Sequence, residues 1–214
     1  MRIILVGCLI SFALMLHGQD PLRFEREVND LVAEDSSLNK RKLILFTGSS
    51  SIRFWKSLQT DLPKQNALNR GFGGSEMTDL LYFAETLIVP YKPKKIFIYE
   101  GDNDLNSGKS VEEILKTAEK LMTLIRSKLP KGSKVIFIAA KPSLARWKLK
   151  DQYLNFNKAL KEWTEKQKGV KFADVWTPMT DSNGEVLKDI FVEDGLHLNE
   201  KGYVLWADVI RKFM

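Results

Sequence analysis

The chain has 214 residues, 44% of them hydrophobic, a length that suits one compact domain and leaves little room for a second. Its one cysteine, Cys8, excludes an internal disulfide and a thiolate metal cluster. The formal charge is +6, yet the lysines, as along 148–168, are interleaved with Asp and Glu and lack the clustered aromatic and basic pattern of a nucleic-acid surface. A solvated helix face is expected there, and no nucleic-acid partner.

Residues 1–18 read as a secretory signal: Arg2 supplies the positive end, residues 3–16 are apolar, and Gly18 offers a small residue for cleavage. The apolar run is too short to span a bilayer comfortably. Export to the bacterial periplasm or beyond is expected, with residues 19–214 as the mature chain and no stable membrane insertion. Leu5-Val6-Gly7-Cys8 also resembles a lipobox, which would anchor the protein through a lipidated Cys8. The apolar run before Cys8 is short and continues past it, which favours cleavage after Gly18.

Along the chain, residues 21–36 place Leu22, Phe24, Val28, Leu31 and Val32 between charged residues and predict a short amphipathic helix. Residues 42–46 predict the first strand, which breaks at Gly48 into Ser49, Ser50 and Ser51. A helix carrying Ile52, Phe54 and Trp55 is expected from there to about Leu58. Residues 67–69 form a short second strand ending in the glycine-rich turn 70–75, and a helix over 76–88 stops before Pro90. The third strand, 95–99, runs into Glu100-Gly101-Asp102-Asn103-Asp104. Ser110 and Glu113 make a capping box for a long helix whose inner stripe is Leu115, Leu121, Met122 and Ile125. Strand four is 135–139, Pro142 interrupts the segment after it, and a helix over 151–168 leads to strand five at 170–175. After a turn at 181–184, Asn199 caps a last helix that buries Tyr203, Leu205, Trp206, Val209 and Ile210.

This alternation, without repeats or low-complexity linkers, argues for a three-layer α/β/α sandwich around a five-stranded parallel sheet with right-handed crossovers. Ligands of such sheets bind outside the carboxyl ends of the strands. Segments 48–51, 71–75, 101–104 and the approach to His197 would all meet at that edge.

A serine hydroxyl needs a base within hydrogen-bond reach and a third group to orient that base. Beyond residues 1–18, which contain His17, the only imidazole is His197, and Asp194 precedes it by three residues. Attack on an ester also develops a negative oxygen that needs fixed donors, which a backbone amide at Gly74 and the carboxamide of Asn103 can supply. Each piece has a plainer use as well: serines cap helices, glycines make turns, and loop asparagines satisfy backbone groups.

Taken together the blocks resemble the SGNH hydrolases, the superfamily of GDSL-type esterases and lipases, over about residues 42–212. Gly48-Ser49-Ser50 matches the Gly-Asp-Ser turn, residues 69–75 the glycine block, Gly101-Asp102-Asn103-Asp104 the Gly-x-Asn-Asp motif, and Asp194-Gly195-Leu196-His197 the Asp-x-x-His motif. The pattern is closest to small acetylhydrolases of the platelet-activating-factor type. The resemblance implies a flavodoxin-like fold and a serine esterase for short acyl groups such as acetyl. It assigns Ser50 as nucleophile, His197 and Asp194 as base and orienter, and the Ser50 amide, Gly74 and Asn103 as oxyanion donors. No metal or cofactor is implied. Ser49 stands where the family usually has aspartate.

Two binding-protein alternatives compete. A nucleotide or flavin module is disfavoured because Glu76 replaces the third glycine of Gly71-Phe72-Gly73 and no Gly-Lys-Ser or Gly-Lys-Thr follows a strand. An inactive glycan- or lipid-binding protein on the same scaffold is the stronger rival, since fold does not fix function. Ile52 occupies the second glycine position of Gly-x-Ser-x-Gly, which argues against an ordinary α/β-hydrolase. Arg53, Trp55, Lys141, Arg146, Trp147 and Trp176 are candidates for the cleft border or for core packing. An acetylated sugar and a small lipid ester remain equal as expected substrates.

Overall fold

The computed structural model describes residues 20–214 apart from 34, 36 and 37. The segment expected to be a secretory signal, with His17, Cys8 and the expected cleavage point, lies outside the described residues.

The strands β1 (Ile44–Gly48), β2 (Ala67–Gly71), β3 (Lys95–Tyr99), β4 (Lys134–Ile138) and β5 (Val170–Ala173) form one parallel sheet in the order β2-β1-β3-β4-β5. The helices are α1 (Glu25–Ala33), α2 (Ser50–Arg53), α3 (Leu58–Asp61), α4 (Met77–Leu87), α5 (Asp102–Asn106), α6 (Val111–Lys128), α7 (Lys150–Glu165) and α8 (Glu200–Arg211). Successive strand residues point to opposite faces. Leu45, Ile96, Ile98, Val135 and Phe137 therefore pack under α1, α4, α6 and α7, whereas Ile44, Phe46, Phe97, Tyr99, Ile136 and Ile138 pack under α2, α3 and α8. Both faces are covered, so the strands read as apolar runs rather than as alternation. This is the three-layer parallel sandwich expected from the sequence. Among the described residues no helix is long and apolar enough to cross a membrane.

Local departures have local causes. The helix after the serines ends at Arg53 and resumes only at Leu58. Asn69 Nδ2 takes the Ile52 carbonyl at 2.6 Å, and Asp61 accepts from the Trp55 indole N–H and the Ser57 hydroxyl at 2.6 Å each. Those bonds turn Trp55 into the core, where it meets Phe46, Tyr203 and Trp206. In α6 the inward residue is Ile114, with Leu115 at the margin; in α8, Leu205 is half-buried. Residues 101–104, expected as a loop, instead lead into the short helix Asp102–Asn106.

β1 and β2 each extend two residues beyond expectation, and the extra row positions the site. Gly48 pairs with Gly71 on one side and Tyr99 on the other. Its φ is +122°, and a Cβ there would lie 2.0 Å from the Tyr99 carbonyl oxygen. The next residue donates its amide to that same oxygen, Ser49 N–H at 3.1 Å. Glycine is the residue that permits both the backbone angle and the approach.

Beneath this edge runs a buried acidic seam. Glu100 accepts from the Ser75 hydroxyl at 2.6 Å, while its second oxygen has no partner among the described residues. Burial, together with Asp104 nearby, pushes the Glu100 carboxyl well above the usual range. Burial also lifts Asp104 to about 6, against the opposing pull of Lys109 and the Met77 amide.

Gly48→Ala is expected to lose about 2 kcal/mol or more of stability in chemical denaturation, from the positive φ and the overlap with Tyr99. Glu100→Gln mimics the protonated acid and keeps the bond to Ser75. A raised carboxyl stabilises the fold at low pH and forfeits that contribution as pH rises above its unfolded value. The variant should therefore gain on the wild type as pH rises above about 5; denaturation midpoints that do not diverge with rising pH would contradict the assignment.

Candidate active site

The three serines after β1 meet different surroundings. Ser49 is fully buried, and its hydroxyl has no partner among the described residues. Ser51 is buried too, with its carbonyl accepting from the Tyr203 hydroxyl. Ser50, half-buried at the first position of α2, is the one that faces the imidazole: its Oγ lies 2.9 Å from His197 Nε2. Phe54 packs edge-on to that ring, 4.8 Å between centroids.

Asp194 uses both carboxylate oxygens. Oδ1 accepts the backbone amides of Leu196 at 2.8 Å and His197 at 2.9 Å, which folds the chain into a tight turn. Oδ2 lies 2.5 Å from His197 Nδ1. Burial opposes the charge, but the bonds from the His197 ring and from the two amides outweigh it and hold the carboxyl down to about 2. With Nδ1–H committed to a carboxylate, Nε2 is left to accept the Ser50 proton.

At the same sheet edge, the glycine loop and α5 approach each other. A Cβ added to Gly74 would meet only Asn103 Nδ2, at 3.8 Å. Among the described residues, the amides of Ser50 and Gly74 have no protein acceptor. Asn103 donates one Nδ2 hydrogen to the Ser75 carbonyl at 2.9 Å, leaving its second available. Two amides and a carboxamide in this setting can stabilise a developing oxyanion. The structure thus brings together Ser50, Asp194 and His197, which are 147 residues apart at the extremes, and sets Gly74 beside Asn103.

A fifth element, the loop after β4, completes the surroundings. Lys141 is buried, donates to the Leu196 carbonyl at 2.7 Å, and is pushed down to about 8 by burial. The Ala145 amide donates to the Gly195 carbonyl at 3.1 Å, and Arg146 donates to Asn103 Oδ1 at 2.8 Å. Sequence reasoning set Lys141 and Arg146 beside the cleft without a task. Their signal was position: Lys141 just before Pro142 and Arg146 four residues after it, in the segment that leaves a buried strand at its carboxyl end. Trp176 is largely buried and stacks on Trp147, whose indole N–H reaches Glu185.

A groove of about 860 Å³ lies beside the triad rather than over it, between α1, α2, α3 and β2. Arg53 at its inner end pairs with Glu27 at 2.9 Å, and Glu27 accepts the Gly73 amide at 3.0 Å. The N-terminal helix is thereby tied to the glycine loop.

Residues 45–205 match the model of the GDSL-like Lipase/Acylhydrolase family. No curated protein matches the sequence. Among solved structures, the chain is similar to a candidate platelet activating factor of Streptococcus pneumonia, with a TM-score of 0.76 and 22% identity over 89% of this chain and 91% of that one. It is also similar to a GDSL-like lipase of Bacteroides thetaiotaomicron, with a TM-score of 0.73 and 19% identity over 91% and 98%. A catalytic mutant of an acetylxylan esterase from Geobacillus stearothermophilus gives a TM-score of 0.66 and 14% identity over 80% and 93%. At these identities the structural likeness is one of fold, and the family model carries the assignment. This protein belongs to the GDSL-like lipase/acylhydrolase family and is a carboxylic ester hydrolase.

Proposed function

We propose that the protein removes short acyl groups, acetyl foremost, from esters of carbohydrates or small lipids by two-step transfer through Ser50. The observation that carries this is the unbroken chain from Ser50 Oγ through the His197 ring to Asp194, at 2.9 and 2.5 Å. His197 takes the Ser50 proton as Oγ bonds to the ester carbonyl carbon, and the carbonyl oxygen gains negative charge. The amides of Ser50 and Gly74 and the free Asn103 N–H receive that charge. Collapse breaks the bond to the alcohol, which leaves with the proton from His197. Water, deprotonated by the same imidazole, then attacks the acyl-enzyme, frees the acid and restores Ser50.

Preference for acetyl rests on the likeness of the sequence blocks to small acetylhydrolases, and an acetylxylan esterase among the structural neighbours agrees with a sugar ester. The groove beside the site supports a bulky polar alcohol, since Arg53, Gln59 and Asn69 line it. Export rests on residues 1–18 alone. Because Asp194 is held down to about 2, its carboxylate stays charged well into the acid range, and its protonation should not set the acid limb of the rate.

The test is the initial rate of 4-nitrophenyl acetate hydrolysis. Ser50→Ala should reduce it by about 10³ or more. Asn103→Ala should lower kcat by about 10²–10³, the usual effect of removing one oxyanion donor. A Ser50→Ala rate equal to the wild type would move the nucleophile elsewhere.

A further inference from the structure

We infer that Arg146 is a positioning residue: it sets the orientation of the Asn103 carboxamide so that an N–H, and not the carbonyl oxygen, faces the oxyanion. The inference rests on the oxyanion assignment proposed above.

A carboxamide has two orientations related by a half-turn, and only one presents a donor to a given point. The wrong one would aim a partial negative charge at the developing oxyanion. Asn103 lies at the second position of a helix of only five residues, and local backbone geometry does not choose between the two. The choice is made by its partners. Arg146 Nη2 donates to Oδ1 at 2.8 Å, which a nitrogen at that position could not accept. On the other side, Nδ2 donates to the Ser75 carbonyl at 2.9 Å. One N–H remains, on a nitrogen that lies 3.8 Å from where a Gly74 Cβ would stand.

Arg146 is itself braced. Its Nη1 donates to the Asp102 carbonyl at 3.2 Å and lies 3.4 Å from Asp102 Oδ2, and its side chain is only 14% exposed. The Tyr153 hydroxyl donates to the same carbonyl at 3.0 Å, and the Tyr99 hydroxyl to Asp102 Oδ2 at 3.0 Å. The planar guanidinium thus spans two consecutive residues, a fit that a lysine ammonium cannot copy. A cation on Oδ1 also polarises the amide, which strengthens its N–H as a donor.

A double-mutant cycle on 4-nitrophenyl acetate tests this, with denaturation midpoints measured on every variant. Arg146→Ala should lower kcat by about tenfold or more while KM stays within about threefold. Arg146→Lys, which retains the charge beside Asp102, should recover the denaturation midpoint but not kcat. In the Asn103→Ala background, Arg146→Ala should add little, because a group that acts through Asn103 has nothing left to orient. Multiplicative losses, a wild-type kcat in Arg146→Ala or Arg146→Lys, or a loss confined to KM would overturn the inference while leaving Ser50 and Asn103 in place. Asn103→Ala at the wild-type rate would overturn both this inference and the oxyanion reading.

Discussion

The close approach of β1 and β3 at Gly48 is the constraint on which the rest of the site depends. A parallel sheet ends its strands at one level only if the last pairs stay in register, and the row Gly71, Gly48, Tyr99 does so. Chain leaving that row starts three blocks at the same height: the serine turn, the glycine loop, and the Glu100 to Asp104 segment. With no side chain at Gly48, the Tyr99 carbonyl is free to accept the Ser49 amide, so the entry angle of α2, and with it the direction of Ser50, is set by a backbone contact. The β5 side contributes the remaining block through the turn that Asp194 folds around its own carboxylate.

Charge is distributed in two tiers around that edge. Below it, Glu100 and Asp104 are carboxyls lifted by burial, supported by Ser75, Lys109 and the Met77 amide at the start of α4. These groups hold the glycine loop from beneath. Beside it, the loop after β4 brings two cations, Lys141 onto the Asp194–His197 turn and Arg146 onto the Asn103 carboxamide. Anchoring of substrate-facing groups by a further layer of hydrogen bonds is how a site on loops acquires the rigidity of the sheet it sits on.

Much of this was legible in the chain. Apolar runs such as 95–99 can be read because both faces of a parallel strand are covered, and the Ser110–Glu113 capping box announces its helix locally. The four blocks were legible because each joins a chemically distinctive residue to a glycine or a tight turn. What escaped was set by distant partners. Residues 102–106 look like a loop because Asp and Asn favour turns, yet Tyr153 and Arg146, far along the chain, hold the segment in a helical turn. The break after Arg53 depends on Asn69, in another strand. No periodicity ties Arg146 to Asn103 or Lys141 to Leu196, since these bonds join loops that only the closed sheet brings side by side.

The bond between Ser50 and His197 joins residues 147 positions apart, and Tyr203 reaches back to Ser51 across 152. Contacts of such separation carry the loop-closure cost of the intervening crossovers. A chain still missing its last strand and helix therefore carries an ordinary serine alcohol. If hydrolysis runs through Ser50 as proposed, competence requires that contact, so the onset of activity during refolding is a clock for its closure, readable without any probe attached to the protein.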